Sequence, residues 1–357
     1  MTDTGQDLFS GTQEVLEAHR IDISALQAWM EENVEGFSGN IDLSEFKGGQ
    51  SNPTYKIEAG GNAYVMRRKP PGKLLPSAHA VDREYRVISA LGKTDFPVPK
   101  SYALCEDDSI IGTAFYIMSF AEGRIFWDPT LPGIENDERT AIYEGMNDVI
   151  AQLHMTDYKA IGLETFGKPG NYFERQIGRW SKQYKASETE QMPEMDKLIE
   201  WLPDNIPAGD ETTIVHGDYR LDNMVFHPTE PRVIAVLDWE LSTLGHPLGD
   251  FSYHAMVWQF EPELFRGLAG LDLKAMGIPT VEEYVASYCK KTGRDGIENW
   301  DFYMAYNMFR LAGIAQGIMG RVRDGTAASE HAMQTASKAR PMSVQGWSHA
   351  EKVIANG

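Results

Sequence analysis

The spacing of apolar positions changes character about a third of the way along the chain. Up to residue 122 it is mostly that of strands. Asp42–Phe46 alternates polar and apolar side chains before a turn-forming stretch, Gly48-Gly49-Gln50-Ser51-Asn52-Pro53. Thr54–Ala59 alternates again, Gly60-Gly61-Asn62 is a hairpin signal, and residues 63–68 return as a partner strand. A further strand is expected over 114–120. Two helices interrupt this region. Residues 25–33 are amphipathic, with Ser24 and Gln27 read as a capping box. Residues 82–91 place Val81, Tyr85, Ile88 and Leu91 on one side, with Gly92 as the stop. Beyond 122 the helical period dominates, over 138–154, 172–185 and 195–201 and again from 250 to 317. Only two short apolar runs break it, 212–216 and 233–238. The fold class predicted is α+β: a small antiparallel sheet with one helix feeding a larger, mostly helical part. The expected divisions are 1–36, a loose extension with a short helix; 37–122, the sheet-rich part; and 123–357, the helical part. No internal repeat or low-complexity segment is present.

Size and composition narrow the function classes. The chain has 357 residues and is 42% hydrophobic, enough for a sizeable core. No apolar run approaches the roughly 20 residues needed to cross a bilayer, and the polar start does not read as a secretory signal. Two cysteines make no disulfide framework, so a cytoplasmic protein is expected. With 52 acidic against 33 basic residues the net charge is −19, which argues against nucleic-acid or membrane partners. A small molecule is the expected partner, and oligomeric state is left open. One local exception is the basic group Arg67, Arg68, Lys69 and Lys73. There, Arg68 and Lys73 are expected to be solvated.

The candidate chemistry lies in the two apolar runs among the helices. Ile214-Val215 leads into His216-Gly217-Asp218, so Asp218 should emerge at a strand end. Asn223 follows five residues later, and the second run delivers Asp238-Trp239-Glu240. Asp and Asn are hard oxygen ligands of the kind Mg²⁺ accepts, and an uncoordinated Asp can take a proton from an attacking hydroxyl. Each residue singly is an ordinary turn or cap former. Their coincidence at these offsets points to phosphoryl transfer. Asp250 before an apolar helix reads as its N-cap. His216 is expected to brace the loop, His154 to be packed, and the aromatic stretches 252–260 and 299–309 to be core.

His216-Gly217-Asp218 through Asn223, with Asp238-Trp239-Glu240, resembles the aminoglycoside/choline-kinase branch of the protein-kinase-like phosphotransferases, over about residues 46–250. The segments Gly48-Gly49-Gln50-Ser51-Asn52-Pro53-Thr54 and Pro70-Pro71-Gly72-Lys73-Leu74-Leu75-Pro76-Ser77-Ala78-His79 are similar to the kinase-like domain fused to acyl-CoA dehydrogenase modules in some eukaryotes. In bacteria that domain is a stand-alone chain.

The resemblance implies a two-lobed fold and assigns roles residue by residue. Asp218 would orient and deprotonate the acceptor hydroxyl, and Arg220 would neutralise the moving phosphoryl group, unless it merely balances Asp222. Asn223 and Asp238 would hold Mg²⁺ against ATP. Gly49, Gln50, Ser51 and Asn52 would belong to the phosphate-covering loop, although the G-x-G-x-x-G spacing of protein kinases is missing. Arg67 stands where kinases have a phosphate-binding Lys, with Glu84 as its helix partner. Phe120 and Glu122 fall in a hinge, 118–122, that reads adenine through backbone groups. The implied activity is ATP-dependent phosphorylation of a small-molecule hydroxyl, with a hydroxyacyl or CoA-linked acceptor favoured by the subgroup and aminoglycosides or choline-like alcohols as alternatives. The competing reading is a nucleotide-binding module without turnover, supported by Arg67 and the absent glycine pattern. The intact Asp218, Asn223 and Asp238 oppose it.

Overall fold

A computed structural model describes residues 11–47, 52–71, 79–324 and 330–356. The chain forms two compact units. One takes Met1–Gln152, Asp157–Phe166 and Arg220–Ser242; the other takes Leu153–Thr156, Gly167–Tyr219 and Thr243–Gly357.

The first unit is built on six strands: β1 (Thr12–Gln13), β2 (Asp42–Phe46), β3 (Thr54–Ala59), β4 (Asn62–Arg68), β5 (Ser101–Cys105) and β6 (Phe115–Ser119). They form one antiparallel sheet in the order β1-β2-β3-β4-β6-β5. The β3–β4 hairpin closes with Ala59 opposite Asn62, so Gly60-Gly61 is a two-residue turn. Both glycines have positive φ, 57° and 78°, as a turn matched to the right-handed strand twist requires. Residues 12–19 are not a loose extension. β1 edges the sheet, the Tyr55 hydroxyl donates to the His19 carbonyl (2.7 Å), and His19 pairs with Glu45 (2.6 Å).

Helix α1 (Ile23–Asn33) starts two residues earlier than the capping reading placed it. Asp22, not Ser24, is the N-cap and accepts from Ala25 N, while Gln27 Oε1 instead accepts from Ile41 N. Leu26 and Met30 of α1 pack with Tyr55, Ile57, Tyr64, Met66, Phe115 and Ile117 on one face of the sheet. Period-two alternation then sends Val65, Arg67, Tyr116 and Met118 to the opposite face, where α2 (Val81–Leu91) lies. Arg68 therefore belongs to the first face and is buried against Tyr55 and the Ile111 carbonyl, not solvated as expected. Lys73 lies outside the described residues. Helix α3 (Asn136–Met155) follows, its residues from Leu153 grouped with the second unit. A strand pair, Met224–Phe226 with Val233–Val236, completes the first unit. Gly123 runs beside it so closely that a Cβ would stand 2.2 Å from the Phe226 carbonyl oxygen, which leaves room only for glycine.

The second unit is helical apart from the antiparallel pair Thr213–Val215 and Thr243–Gly245. Its longer helices are α4 (Tyr172–Ser187), α5 (Pro193–Asp204), α6 (Pro247–Ala255), α7 (Val281–Thr292), α8 (Trp300–Arg323) and α9 (Ala339–Asn356). α8 is the spine: Phe302, Met304, Tyr306 and Phe309 are fully buried among α4, α5, α6 and α9. The aromatic stretches are core, as expected; Phe251 stacks on Tyr288 with centroids 3.8 Å apart. Both cysteines are free and buried. Among the described residues no helix is long and apolar enough to cross a membrane.

Candidate active site

In the first unit the chemistry gathers around one buried cation. Arg67, on the α2 face of β4, directs Nη1 and Nη2 to Asp238 Oδ1, both at 3.0 Å. Its Nε lies 3.3 Å from Glu84 Oε2, and Glu240 Oε2 is 4.0 Å away. Glu84 is 0% exposed and accepts two further bonds, from Asn52 Nδ2 (2.9 Å) and the Tyr116 hydroxyl (3.1 Å). Burial pushes the Glu84 carboxyl above its ordinary range, against the pull of Arg67. For Arg67 burial acts downward, but Glu84 and then Asp238 overcome it and hold the guanidinium above its ordinary value. It is a permanent charge.

Asp238 reaches this cluster in an uncommon backbone state, φ 64° and ψ 60°, a left-handed conformation that Asp tolerates better than most residues. The turn is held from both sides. Leu237 N donates to the Asn223 carbonyl (2.8 Å), which ties the 3₁₀ turn Leu221–Asn223 to the residue before Asp238. With one carboxylate oxygen anchored by Arg67, Oδ2 carries no protein hydrogen bond among the described residues, and the side chain is 34% exposed. Counted as ionised, Glu84, Asp238 and Glu240 against Arg67 leave a net charge of −2 (three minus one). A carboxylate oxygen without a protein hydrogen bond among the described residues, in an acidic setting, fits Mg²⁺, which takes few protein ligands and completes its shell with water and phosphate oxygens. No group of three or more His, Cys, Asp or Glu that could hold a metal occurs among the described residues. A closed structural metal site is not what this cluster offers.

An apolar slot of about 160 Å³ opens beside the cluster. Val65, Ile88, Met118, Phe120, Val225 and Val236 line it, with Arg67 and Asp238 also at its wall. Its walls suit a flat heteroaromatic ring. Phe120 stacks on Phe46 at 6.3 Å, and its own N–H is spent on the Ala63 carbonyl. Phe120 thus offers its ring. Glu122 is exposed and not among the lining residues.

In the second unit Asp218 sits on a turn whose backbone is fixed at successive atoms. Asp250 accepts from His216 N (2.7 Å) and Gly217 N (2.8 Å), while Arg310 Nη2 donates to the Gly217 carbonyl (2.6 Å). Gly217 has φ 85°, a conformation glycine adopts without cost. Asp250 is not the N-cap of α6, which is His246. It is a buried anion in the first turn, bonded also to His154 Nε2 (3.2 Å). Burial would raise its carboxyl, but His154 and the His216 backbone hold it below the usual range. His216 Nδ1 accepts from Asp218 N (3.2 Å), the bracing role expected of it. The Tyr253 hydroxyl donates to Asp218 Oδ1 at 2.5 Å, and the Arg310 guanidinium lies 5.0 Å from the centre of the Tyr253 ring. A carboxylate held by a hydroxyl donor, on an immobilised turn, is equipped to orient a hydroxyl and receive its proton.

Three of the sequence-derived candidates, Gly49, Gln50 and Ser51, lie outside the described residues. Asn52, Arg67, Glu84 and Asp238 come together, with Asn223 tied to them through Leu237. Asn52 is buried, and its amide is taken up by Glu84 and by His79 (2.9 Å), so it steadies the carboxylate. Arg220 lies 3.3 Å from Asp222, with a half-exposed side chain. Sequence reading missed Tyr116, Tyr253 and Arg310. Tyr253 and Arg310 are 35 and 93 residues from their partners in the turn, and nothing local marks them.

Residues 42–303 match the model of the phosphotransferase enzyme family. The chain belongs to that family. A crystal structure from Ralstonia eutropha JMP134, provisionally named an aminoglycoside phosphotransferase, is 59% identical with a TM-score of 0.87, covering 93% of this chain and 99% of that one. Aminoglycoside phosphotransferase APH(4)-Ia, seen with AMP-PNP and hygromycin B, superposes with a TM-score of 0.61 at 14% identity, over 91% and 98% of the two chains. Choline kinase from Cryptosporidium parvum Iowa II gives 0.65 at 11% identity, over 94% and 97%. These last two show the fold, which is kinase-like. Among curated relatives, rat acyl-CoA dehydrogenase family member 11 is 44% identical over 95% of this chain but 44% of its own length. Mouse family member 10 is 47% identical over 88% of this chain and 30% of its own length. The chain spans less than half the length of these relatives, and within the phosphotransferase family it is related to the kinase-like part of proteins named acyl-CoA dehydrogenases.

Two predictions test the buried ionisable groups of the two units. Arg67→Met strands Glu84 as a buried, unpaired charge and should cost about 3–5 kcal/mol of unfolding free energy at pH 7. Arg67→Met/Glu84→Gln should recover most of it; equal stability of the two variants in urea melts would contradict the pairing. The second concerns acid. Burial holds both His246 and His254 down to about 4, so both are neutral at pH 7. Protons bind the unfolded chain more readily, so stability present above pH 6.5 is lost as pH falls towards 4. For the fully buried His254 this amounts to about 3 kcal/mol. The fall in Tm between pH 7 and 4.5 should be shallower in His254→Gln than in the parent, and an equally steep fall would exclude His254 as the cause.

Proposed function

We propose that this chain transfers the γ-phosphoryl group of ATP to a hydroxyl of a small molecule, with Mg²⁺ as cofactor. The observation that carries the reading is the Arg67 cluster, in which one buried guanidinium joins Glu84 to Asp238 and leaves a carboxylate oxygen beside an apolar slot. The slot takes the adenine ring, with Phe120 along its wall. Asp238, with Asn223, holds the metal; when bound, that ion supplies charge neutralisation to the phosphates. Arg67 adds a fixed positive charge and sets the orientation of Asp238. Asp218 aligns the acceptor and takes its hydroxyl proton as the oxygen bonds to the γ-phosphorus and the bridging bond to ADP breaks. Tyr253 and Asp250 act through Asp218 by positioning it. Arg220, half-exposed and 3.3 Å from Asp222, would neutralise the transferring group.

For the acceptor, a hydroxyacyl thioester of coenzyme A is favoured. Its support is the relationship to proteins named acyl-CoA dehydrogenases. The neighbours that bear aminoglycoside or choline in their names supply the competing acceptor classes.

ATP consumption should be followed across hydroxyacyl-CoAs, choline-like alcohols and aminoglycosides, with Asp218→Asn as the control. Acceptor-dependent turnover is expected, with a loss in the variant of about 10²-fold or more and ATP affinity kept within severalfold. Near-normal turnover in Asp218→Asn would remove Asp218 from the mechanism. ATP binding without turnover on any acceptor would favour the binding-module reading.

A further inference from the structure

The chain carries a net charge of −19, and several of its basic side chains pair with carboxylates. Arg124 pairs with Glu138, Arg294 with Glu211, and Arg340 with Glu190. Along α4 a group of cations gathers around one groove instead. Lys168, just before the helix, and Arg175, Arg179 and Lys182 on it line an open groove of about 810 Å³, and none has a carboxylate partner among the described residues. Glu174 is the one carboxylate lining it. At 100° per residue, Arg175, Arg179 and Lys182 fall on one face of the helix, opposite the buried Ile177, Trp180 and Tyr184. Arg175 is braced by a 2.6 Å bond to the Lys168 carbonyl, and its Nη1 is buried without a hydrogen-bond partner.

A second observation points to something that approaches this face closely. Gly178 lies in the middle of α4, between the cations, where glycine weakens a helix relative to alanine. No protein atom lies within 4 Å of the position its Cβ would occupy, and its φ is not in the left-handed region. Neither packing nor backbone conformation demands a glycine there. A bare backbone in the floor of a cationic groove leaves room for a ligand.

The other face of α4 leads to the Asp218 turn. Trp180 lies 5.9 Å under the guanidinium of Arg310, which in turn donates to the Gly217 carbonyl. One helix therefore carries unpaired cations outward and supports the catalytic turn inward.

We propose that this groove binds the phosphate groups of the acceptor, those of coenzyme A, and so anchors a CoA-linked substrate by the end remote from its hydroxyl. The proposal rests on the acceptor class given above. The exposed Arg179 guanidinium offers planar paired donors to phosphate oxygens, and Arg175 and the two lysines add positive charge.

Equilibrium binding to the full chain should be measured with coenzyme A, dephospho-coenzyme A and inorganic phosphate. Arg179→Glu/Lys182→Glu, both exposed, should weaken coenzyme A by about tenfold or more, the loss of charge-assisted phosphate contacts, while leaving Mg·ATP binding unchanged. Dephospho-coenzyme A should bind more weakly than coenzyme A, and inorganic phosphate more weakly still. Gly178→Ala should raise Tm and yet weaken coenzyme A severalfold, a combination that a purely structural glycine would not give. Unchanged coenzyme A affinity in both variants, or no binding by the parent, would overturn the proposal. So would phosphate binding as tightly as coenzyme A, since the groove would then be a general anion patch. The two readings separate cleanly. Coenzyme A binding lost in the charge-reversal variant, with no turnover of hydroxyacyl-CoAs, would keep the groove and sink the substrate. Turnover of a hydroxyacyl-CoA with KM unchanged by charge reversal would do the reverse.

Discussion

The first unit's acidic cluster depends on a single guanidinium that is largely withdrawn from water. Arg67 is fixed on β4 by the sheet register, faces α2 by strand alternation, and there meets Glu84 on one side and Asp238 on the other. Burying one such charge is costly; the site contains several because each is another's partner. The arrangement serves orientation. Asp238 is held by its carboxylate while its backbone is left-handed, and the oxygen not held by Arg67 keeps no protein hydrogen bond among the described residues. A lysine would supply the charge but not two N–H groups on one carboxylate oxygen with a third nitrogen beside Glu84.

The second unit solves the matching problem with the opposite sign. Asp250 is a buried anion whose partners are backbone amides and a histidine, and its effect is to immobilise the turn that carries Asp218. Arg310 closes the same peptide from its carbonyl side. Tyr253 then orients the Asp218 carboxylate. In both units the residue proposed to do chemistry is positioned by a buried charge that does none.

What the sequence disclosed followed from what is local. The Gly60-Gly61 turn, the alternation along β3 and β4, and the helical periods are all short-range properties, and they placed the main elements. The offsets from Asp218 to Asn223 and Asp238 are short enough to be visible as a pattern. The pairing of Arg67 with Glu84 was legible only through a family resemblance, since nothing in Asp82-Arg83-Glu84-Tyr85 marks a carboxylate for burial. Asp250 looked like a helix cap because an Asp ahead of an apolar helix usually is one; its carboxylate instead crosses to a turn 33 residues earlier. β5 escaped notice because Ser101–Cys105 is half-exposed and lacks clean alternation. Arg68 was misjudged because two adjacent arginines at a strand end look solvated, whereas strand alternation buries one on each face.

The central claim is that Asp238, oriented by Arg67, is where the metal and the nucleotide phosphates are held. ATP affinity measured with and without Mg²⁺, in the parent and in Asp238→Ala, bears on it most directly. The account predicts that Mg²⁺ tightens ATP binding to the parent by about tenfold or more and that this gain disappears in the variant. A variant that kept the full Mg²⁺ gain would contradict the account, because the metal would then be held elsewhere.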